Sequence, residues 1–416
     1  MATERRRKRR AAAPERRVRR RSARVQTGLD RVAAGDREVL RRLRGRRLGL
    51  LAHPAAVDAG LRHAFAVLRD AGCEVRTLFG PEHGYGGEAQ DMIAVAAGQS
   101  EGARGVALHS LYGTTEADLY PKDEWLEGLD AVVVDLQDVG SRYYTFVWSA
   151  ALMLERTAKL GIELIVLDRP NPLGGAIVEG APQRPGYRSF VGLHDVAVRH
   201  GMTIGELCGL ARTVHGLDRE SLRVIPMRGW RRTYDFAATG LPWVLPSPNM
   251  PALGTARVYP GGCLIEGTLM SEGRGTTLPF EIWGAPFLDG TLLASRVQAH
   301  AKGAVLRPLS FTPSFQKFAG RRCSGVQVHV VDPKRFSPYA LYLRLIAEAR
   351  AQGAGAFEWR TETYEYVSDR PAIDLLTGGP EFRTLVDAGA ALDDYLEWDR
   401  RGAAEFAKRR KRCLLY

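Results

Sequence analysis

Residues 131–145 read Ala-Val-Val-Val-Asp-Leu-Gln-Asp-Val-Gly-Ser-Arg-Tyr-Tyr-Thr. A short run of continuous apolar residues closed by an acid is the pattern of a strand buried on both faces, and a dense polar segment follows it at once. Behind it, Phe146–Leu160 has helical spacing and Glu163–Leu167 is again uniformly apolar. Outward from this centre the alternation repeats. Leu48–Ala52 leads to a helical stretch around Leu61–Ala71, then to Glu74–Phe79. Downstream, helical Thr203–Val214 precedes the strand Leu222–Pro226. Uniformly apolar strands separated by helices predict an α/β fold of the Rossmann-like, doubly wound type, with a mostly parallel sheet. No Gly-x-Gly-x-x-Gly follows the first strand, which disfavours a dinucleotide cofactor.

The chain has 416 residues, 45% hydrophobic and 25% charged, a globular composition too long for one ordinary domain. Its net charge of +12 is concentrated at one end: residues 1–24 hold twelve basic and two acidic side chains, leaving +2 for the other 392. Residues 1–27 therefore read as a disordered basic arm. It is either a solubilising tail or a weak, phosphate-driven polyanion binder, since no aromatic residue is interleaved for stacking. Residues 28–253 form the Rossmann-like domain. The proline-rich Leu241–Pro260 reads as an extended crossing into a smaller α+β C-terminal domain, residues 254–416, with a strand at Gly325–Val331 and a helix at Pro338–Gln352. Five scattered cysteines fit neither a disulfide framework nor a zinc site. No apolar run is long enough to span a membrane. No apolar segment follows the basic terminus, so a cytoplasmic location is expected, with a periplasmic or secreted one left open.

Three predicted strands run directly into polar loops: Gly80-Pro81-Glu82-His83-Gly84, Asp135 to Thr145, and Asp168-Arg169-Pro170-Asn171. In a parallel sheet their carboxyl ends share one edge, the edge at which such folds bind ligands. Glu82, His83, Asp135, Asp138, Arg142, Tyr143, Tyr144, Asp168 and Asn171 are thereby expected in one cleft, with the second-domain segment Glu266–Phe280, carrying Glu266, Glu272 and Arg274, reaching over it. Asp168 and Arg169 read as an ion pair within their loop, and Tyr143 and Tyr144 as splitting between core and cleft. With no Gly-x-Ser-x-Gly elbow, reactive cysteine or Walker loop in the set, acyl and nucleotide chemistry have little support. A metal held by Glu82, His83 and Asp135 is a weaker reading, because adjacent Glu and His seldom point at one ion. Carboxylates beside aromatic rings fit sugar chemistry: a carboxyl can protonate a glycosidic oxygen while rings lie on the apolar faces of a pyranose.

The same segments resemble the NamZ-type exo-β-N-acetylmuramidases, a family long described only as a domain of unknown function. The resemblance runs through Ser110-Leu111-Tyr112-Gly113, Leu167 to Gly175, Ser189-Phe190-Val191-Gly192, Gly201 to Leu207 and Ser247-Pro248-Asn249-Met250-Pro251. It ends in Glu266-Gly267-Thr268 and Ser271-Glu272-Gly273-Arg274-Gly275-Thr276. It implies a Rossmann-like domain and a smaller C-terminal one with the active site between them. It also implies release of a terminal, non-reducing N-acetylmuramic acid from peptidoglycan fragments, with no cofactor or metal. Glu82 is carried over as the catalytic acid. Its partner is Asp135 or Asp138, or the substrate's own N-acetyl group. Arg142 and Arg274 are the leading candidates to hold the sugar's lactyl carboxylate. Two departures from the family pattern are Leu269 and His53, each where an Asn is usual. The alternative functions are a non-catalytic cell-wall sugar-binding protein and a glycosidase for a related amino sugar.

Overall fold

The structure, a computed structural model, describes residues 25–90, 92–93, 98–99 and 105–416. The basic residues 1–24, and with them the polyanion-binding expectation, lie outside this set. Residues 25–27, read from charge as the end of the arm, belong to the fold. Val25 is buried against Met227 and Trp230, and Gln26 bridges Arg228. Thr27 caps the helix Gly28–Ala33 in a reciprocal capping box with Asp30.

Seven strands form the main sheet: β1 (Arg47–Ala52), β2 (Glu74–Gly80), β3 (Gly98–Gln99), β4 (Ala107–Ser110), β5 (Ala131–Asp135), β6 (Glu163–Leu167) and β7 (Leu222–Ile225). Their order is β3-β4-β2-β1-β5-β6-β7, parallel except for β3 against β4. The chain winds outward from β1 through β2 to β4, returns to β5 beside β1, and winds the other way through β6 to β7. This is the predicted doubly wound α/β arrangement. Its topological switch lies between β1 and β5, whose residues Ala52 and Asp135 pair at their carboxyl ends. Strand β5 is buried along its whole length, as its unalternating valines require. One side of the sheet packs the helices Gly28–Ala33, Arg37–Leu43 and Ala64–Asp70, through Leu29, Leu43, Leu68 and Val67. The other packs the helix Phe146–Lys159 and continues without a break into the core of the C-terminal part, through Val147, Leu264, Trp283 and Tyr342.

The C-terminal part is built on a small antiparallel sheet of β8 (Ile282–Ala285), β9 (Ala304–Phe311) and β10 (Cys323–Val330), in the order β8-β10-β9. The helix Pro338–Gln352 falls where its spacing predicts it. The extended crossing ends earlier than the prolines imply: Leu253–Gly262 is a helix with Pro260 inside it. A proline in the last turn costs one backbone bond, and the chain tightens there into the 3₁₀ segment Cys263–Gly267. Among the described residues no helix is long and apolar enough to cross a membrane.

Candidate active site

A narrow cleft lies where the loops after β2 and β5 meet the C-terminal part. Its walls are Glu82, His83, Tyr143, Tyr144, Thr145 and Val191 on one side. On the other are Tyr259, Glu266, Arg274, Phe280, Tyr364 and Glu365, with Ser247, Asn249 and Met250 of the crossing between them.

Glu82 owes its position to a loop that only glycines permit. A Cβ on Gly80 would stand 2.4 Å from the Tyr85 nitrogen, and Gly84 has φ +82°. His83 itself is left-handed, at φ +69°, and is held by a 2.9 Å bond between its Nδ1 and the Ala89 carbonyl. Backbone strain of this kind gathers at functional sites. The Glu82 side chain is 5% exposed, and Oε2 accepts a 2.6 Å hydrogen bond from the Thr145 hydroxyl.

Both tyrosines of the Arg142-Tyr143-Tyr144 segment face the cleft, where one was expected in the core. The segment is a turn leading into the helix Phe146–Lys159, so strand alternation does not apply. Burial pushes the phenols of Tyr143, Tyr144 and Tyr259 well above their ordinary range, which keeps all three as hydrogen-bond donors. The Tyr143 hydroxyl donates to the Pro260 carbonyl at 3.3 Å. The Tyr144 ring lies 4.7 Å from Phe146 and 6.0 Å from Tyr259, and its phenol feels the charges of Asp138 and Glu82.

From the C-terminal side, Glu266 accepts from the Tyr364 hydroxyl at 2.8 Å and pairs with Arg274 at 2.9 Å. Arg274 also meets Glu272 at 3.3 Å, and Glu272 meets Lys317 at 3.0 Å. Burial opposes the charge on Glu272, but Lys317 and Arg274 overcome it and hold the carboxyl below its usual range. Glu272 thus stands behind Arg274 and fixes it; it is not among the lining residues.

The remaining sequence candidates sit elsewhere. Asp135 is fully buried and held in a fork by Arg169, at 2.6 and 2.8 Å. Arg169 was expected on its neighbour Asp168, but adjacent residues diverge: Asp168 accepts from the Thr203 and Tyr416 hydroxyls and the Gly205 amide, and burial raises its pKa to about 6. Asp138 takes the Gly140 amide at 3.0 Å and lies 3.3 Å from His200, outside the cleft lining. Asn171 staples its own loop, accepting from the Leu173 amide and donating to the Met202 carbonyl. Arg142 has no exposure; its guanidinium donates to the carbonyls of Ala181, Val196 and, across the domain boundary, Leu376, at 2.7–3.0 Å. That leaves it a structural tie, not a reader of the sugar's carboxylate. At the switch between β1 and β5, His53 Nε2 accepts from the Gln137 amide at 2.9 Å and Nδ1 donates to the Pro246 carbonyl at 3.1 Å, closing the crevice there.

Sequence reasoning missed Thr145, Tyr259, Tyr364, Glu365 and Lys317. The segment Tyr364-Glu365-Tyr366 did carry a signal, a carboxylate between two aromatics, but no strand pattern placed it at the sheet edge. Two roomier hollows, of about 670 and 890 Å³, lie at the amino edge of the sheet and beside Arg199 and Phe336. The first has carboxylates but no aromatic ring in its lining; the second sets Tyr234 and Phe336 beside Asp235 and Asp332, but lies away from the loops after β2 and β5, and its Asp235 is paired with Arg257.

Fold and cleft together define a two-part α/β protein whose site sets carboxyl groups among tyrosines, an arrangement suited to a sugar. The chain belongs to the exo-β-N-acetylmuramidase NamZ family: its N-terminal family model matches residues 48–254 and its C-terminal one residues 257–416. It is 39% identical over 394 residues to the peptidoglycan β-N-acetylmuramidase NamZ of Bacillus subtilis, covering 94% of this chain and 91% of that one. Two crystal structures of DUF1343 family proteins from Bacteroides fragilis share the fold. One has a TM-score of 0.81 at 29% identity, over 95% of this chain and 99% of that one. The other has 0.71 at 26%, over 94% and 99%.

Proposed function

We propose that the protein is a glycoside hydrolase that releases non-reducing terminal N-acetylmuramic acid from peptidoglycan fragments, with Glu82 as the proton donor. The observation that carries this is the placement of Glu82: a buried carboxyl on a glycine-built loop, fixed by Thr145, facing a tyrosine-walled cleft closed by the second part of the chain. Family membership and the named activity of the Bacillus subtilis relative support it. The carboxyl of Glu82 gives its proton to the glycosidic oxygen as the bond to the anomeric carbon breaks. The tyrosine rings that wall the cleft cover the sugar's apolar faces, and the Tyr144 phenol, kept protonated by burial, is a donor for its oxygens.

Muramic acid differs from glucosamine by a lactyl ether bearing a carboxylate. Of the two arginines considered for it, Arg274 lines the cleft and Arg142 does not. Arg274 is held by Glu266 and Glu272, so it presents a fixed face to the sugar. The test is release of para-nitrophenol from a para-nitrophenyl N-acetyl-β-muramide, compared with the matching N-acetylglucosaminide. Turnover of the muramide with little of the glucosaminide is expected. Binding of the muramide without release would establish a sugar-binding protein in its place, and preference for the glucosaminide a glycosidase of another amino sugar.

A further inference from the structure

Tyr364 and Val367 exchange both backbone hydrogen bonds, at 2.9 and 3.0 Å, and the two residues between them, Glu365 and Tyr366, have φ of +47° and +69°. This is a two-residue hairpin turn with both central residues left-handed, a conformation that Asn-Gly fills readily and other side chains strain against. The strain is held from outside. The Tyr366 hydroxyl donates to the Gly113 carbonyl at 3.0 Å, and its ring leans on Tyr112 and Phe190 at 5.8 and 6.4 Å. The Tyr112 hydroxyl in turn donates to Glu365 at 3.2 Å. What the turn achieves is to carry a carboxylate, 4% exposed, from the C-terminal part into the cleft that Glu82 lines from the N-terminal part. Burial, then the charges of Glu365 and Glu82, push the Tyr366 phenol above its ordinary range, so both carboxylates lie within electrostatic reach of one hydroxyl.

We propose that Glu365 is the second catalytic carboxylate of the cleft, the anion that faces the anomeric carbon as the leaving group departs; this rests on the hydrolase reading above. When the glycosidic C–O bond breaks, its electron pair stays on the leaving oxygen, which takes the proton of Glu82. The positive charge left on the sugar ring is what Glu365 stabilises.

The decisive variant is Glu365→Gly, because glycine is at ease at this φ and leaves room for a small anion. On para-nitrophenyl N-acetyl-β-muramide, kcat should fall by about 10²–10⁴-fold. The melting temperature should hold or rise, and added sodium azide should restore turnover at least tenfold while forming a muramyl azide detectable by mass spectrometry. Glu365→Gln keeps the shape and removes the charge; it should lose kcat by the same order, and it decides the question if the glycine variant does not fold. A kcat within tenfold of the parent for the folded variant overturns the proposal. So does a lost kcat with no azide product, which would mean that Glu365 positions a neighbouring group and does not itself face the anomeric carbon. A parent protein inert on the muramide defeats the hydrolase reading as well, whereas an active parent with an equally active variant defeats this inference alone.

Discussion

The hydroxyl of Thr145 donates to Glu82 Oε2 at 2.6 Å, joining the first residues of the helix after β5 to the loop after β2. This one bond sets the rotamer of the acid across the two strands on either side of β1. Thr145→Val keeps the shape and removes the donor, so a buried carboxyl oxygen loses its partner at a cost of about 1–3 kcal/mol. We expect a folded protein with lower stability in urea and a kcat reduced about tenfold, with KM for an aryl muramide little changed. Unchanged kcat would mean that Glu82 is oriented by the loop alone.

Glu82→Gln removes the proton and keeps the volume. General acid catalysis is worth about 10²–10⁴-fold, so hydrolysis of a disaccharide with a poor leaving group should fall by that order. An activated aryl muramide needs less protonation and should fall less. Equal losses on both substrates would reassign Glu82 to charge stabilisation or nucleophilic attack.

How far the sequence reaches is shown by two acids. Asp135 and Glu82 both follow apolar strands, and the strand pattern alone places both at the sheet's carboxyl edge. It cannot tell a carboxylate clamped by a distant arginine from one facing an open cleft, because the partner Arg169 arrives through tertiary packing. Strand β5, strand β6 and the helix Pro338–Gln352 were legible because their burial pattern is local. Strand β4, Ala107–Ser110, was missed: it is short and half-exposed, and its pairing with β2 defines it more than its composition does. Glu365 was out of reach for a further reason. Its turn uses two residues that ordinarily avoid left-handed backbone, so the turn signal is absent from the sequence.

The two arginines that the sequence brings into question for the lactyl carboxylate, Arg142 and Arg274, should separate cleanly. Arg142→Met leaves three buried carbonyls without donors, a loss on the order of 3–5 kcal/mol. We expect a melting temperature lower by roughly 10 °C, with residual activity on muramide and glucosaminide reduced alike. Arg274→Met should instead raise KM for the muramide far more than for the glucosaminide. A similar loss on both substrates for Arg274→Met would make that residue structural too.

The last prediction concerns pH and His53. Burial, opposed by the bond to Pro246, lowers its pKa from 6.5 to about 3. Its Nε2 already accepts the Gln137 amide, so a second ring proton has nowhere to point. Between pH 6.5 and 3 the unfolded chain binds a proton at this histidine that the folded one does not. Stability from this group is therefore complete above about pH 6.5 and is lost as pH falls toward 3, by about 1.4 kcal/mol per pH unit within the window. Asp168 and Asp399, each raised to about 6 by burial, and Glu179, raised to about 7, act in the opposite sense, favouring the folded state as pH falls. They are present in parent and variant alike and cancel in the difference. Asn offers one donor and one acceptor without a titration, so His53→Asn isolates the histidine. Urea unfolding of both proteins at pH 6.5 and 5.0 should show the parent's stability, relative to the variant's, falling by about 2 kcal/mol. A difference that stays constant across that interval would show that His53 takes up its proton in the folded state without penalty.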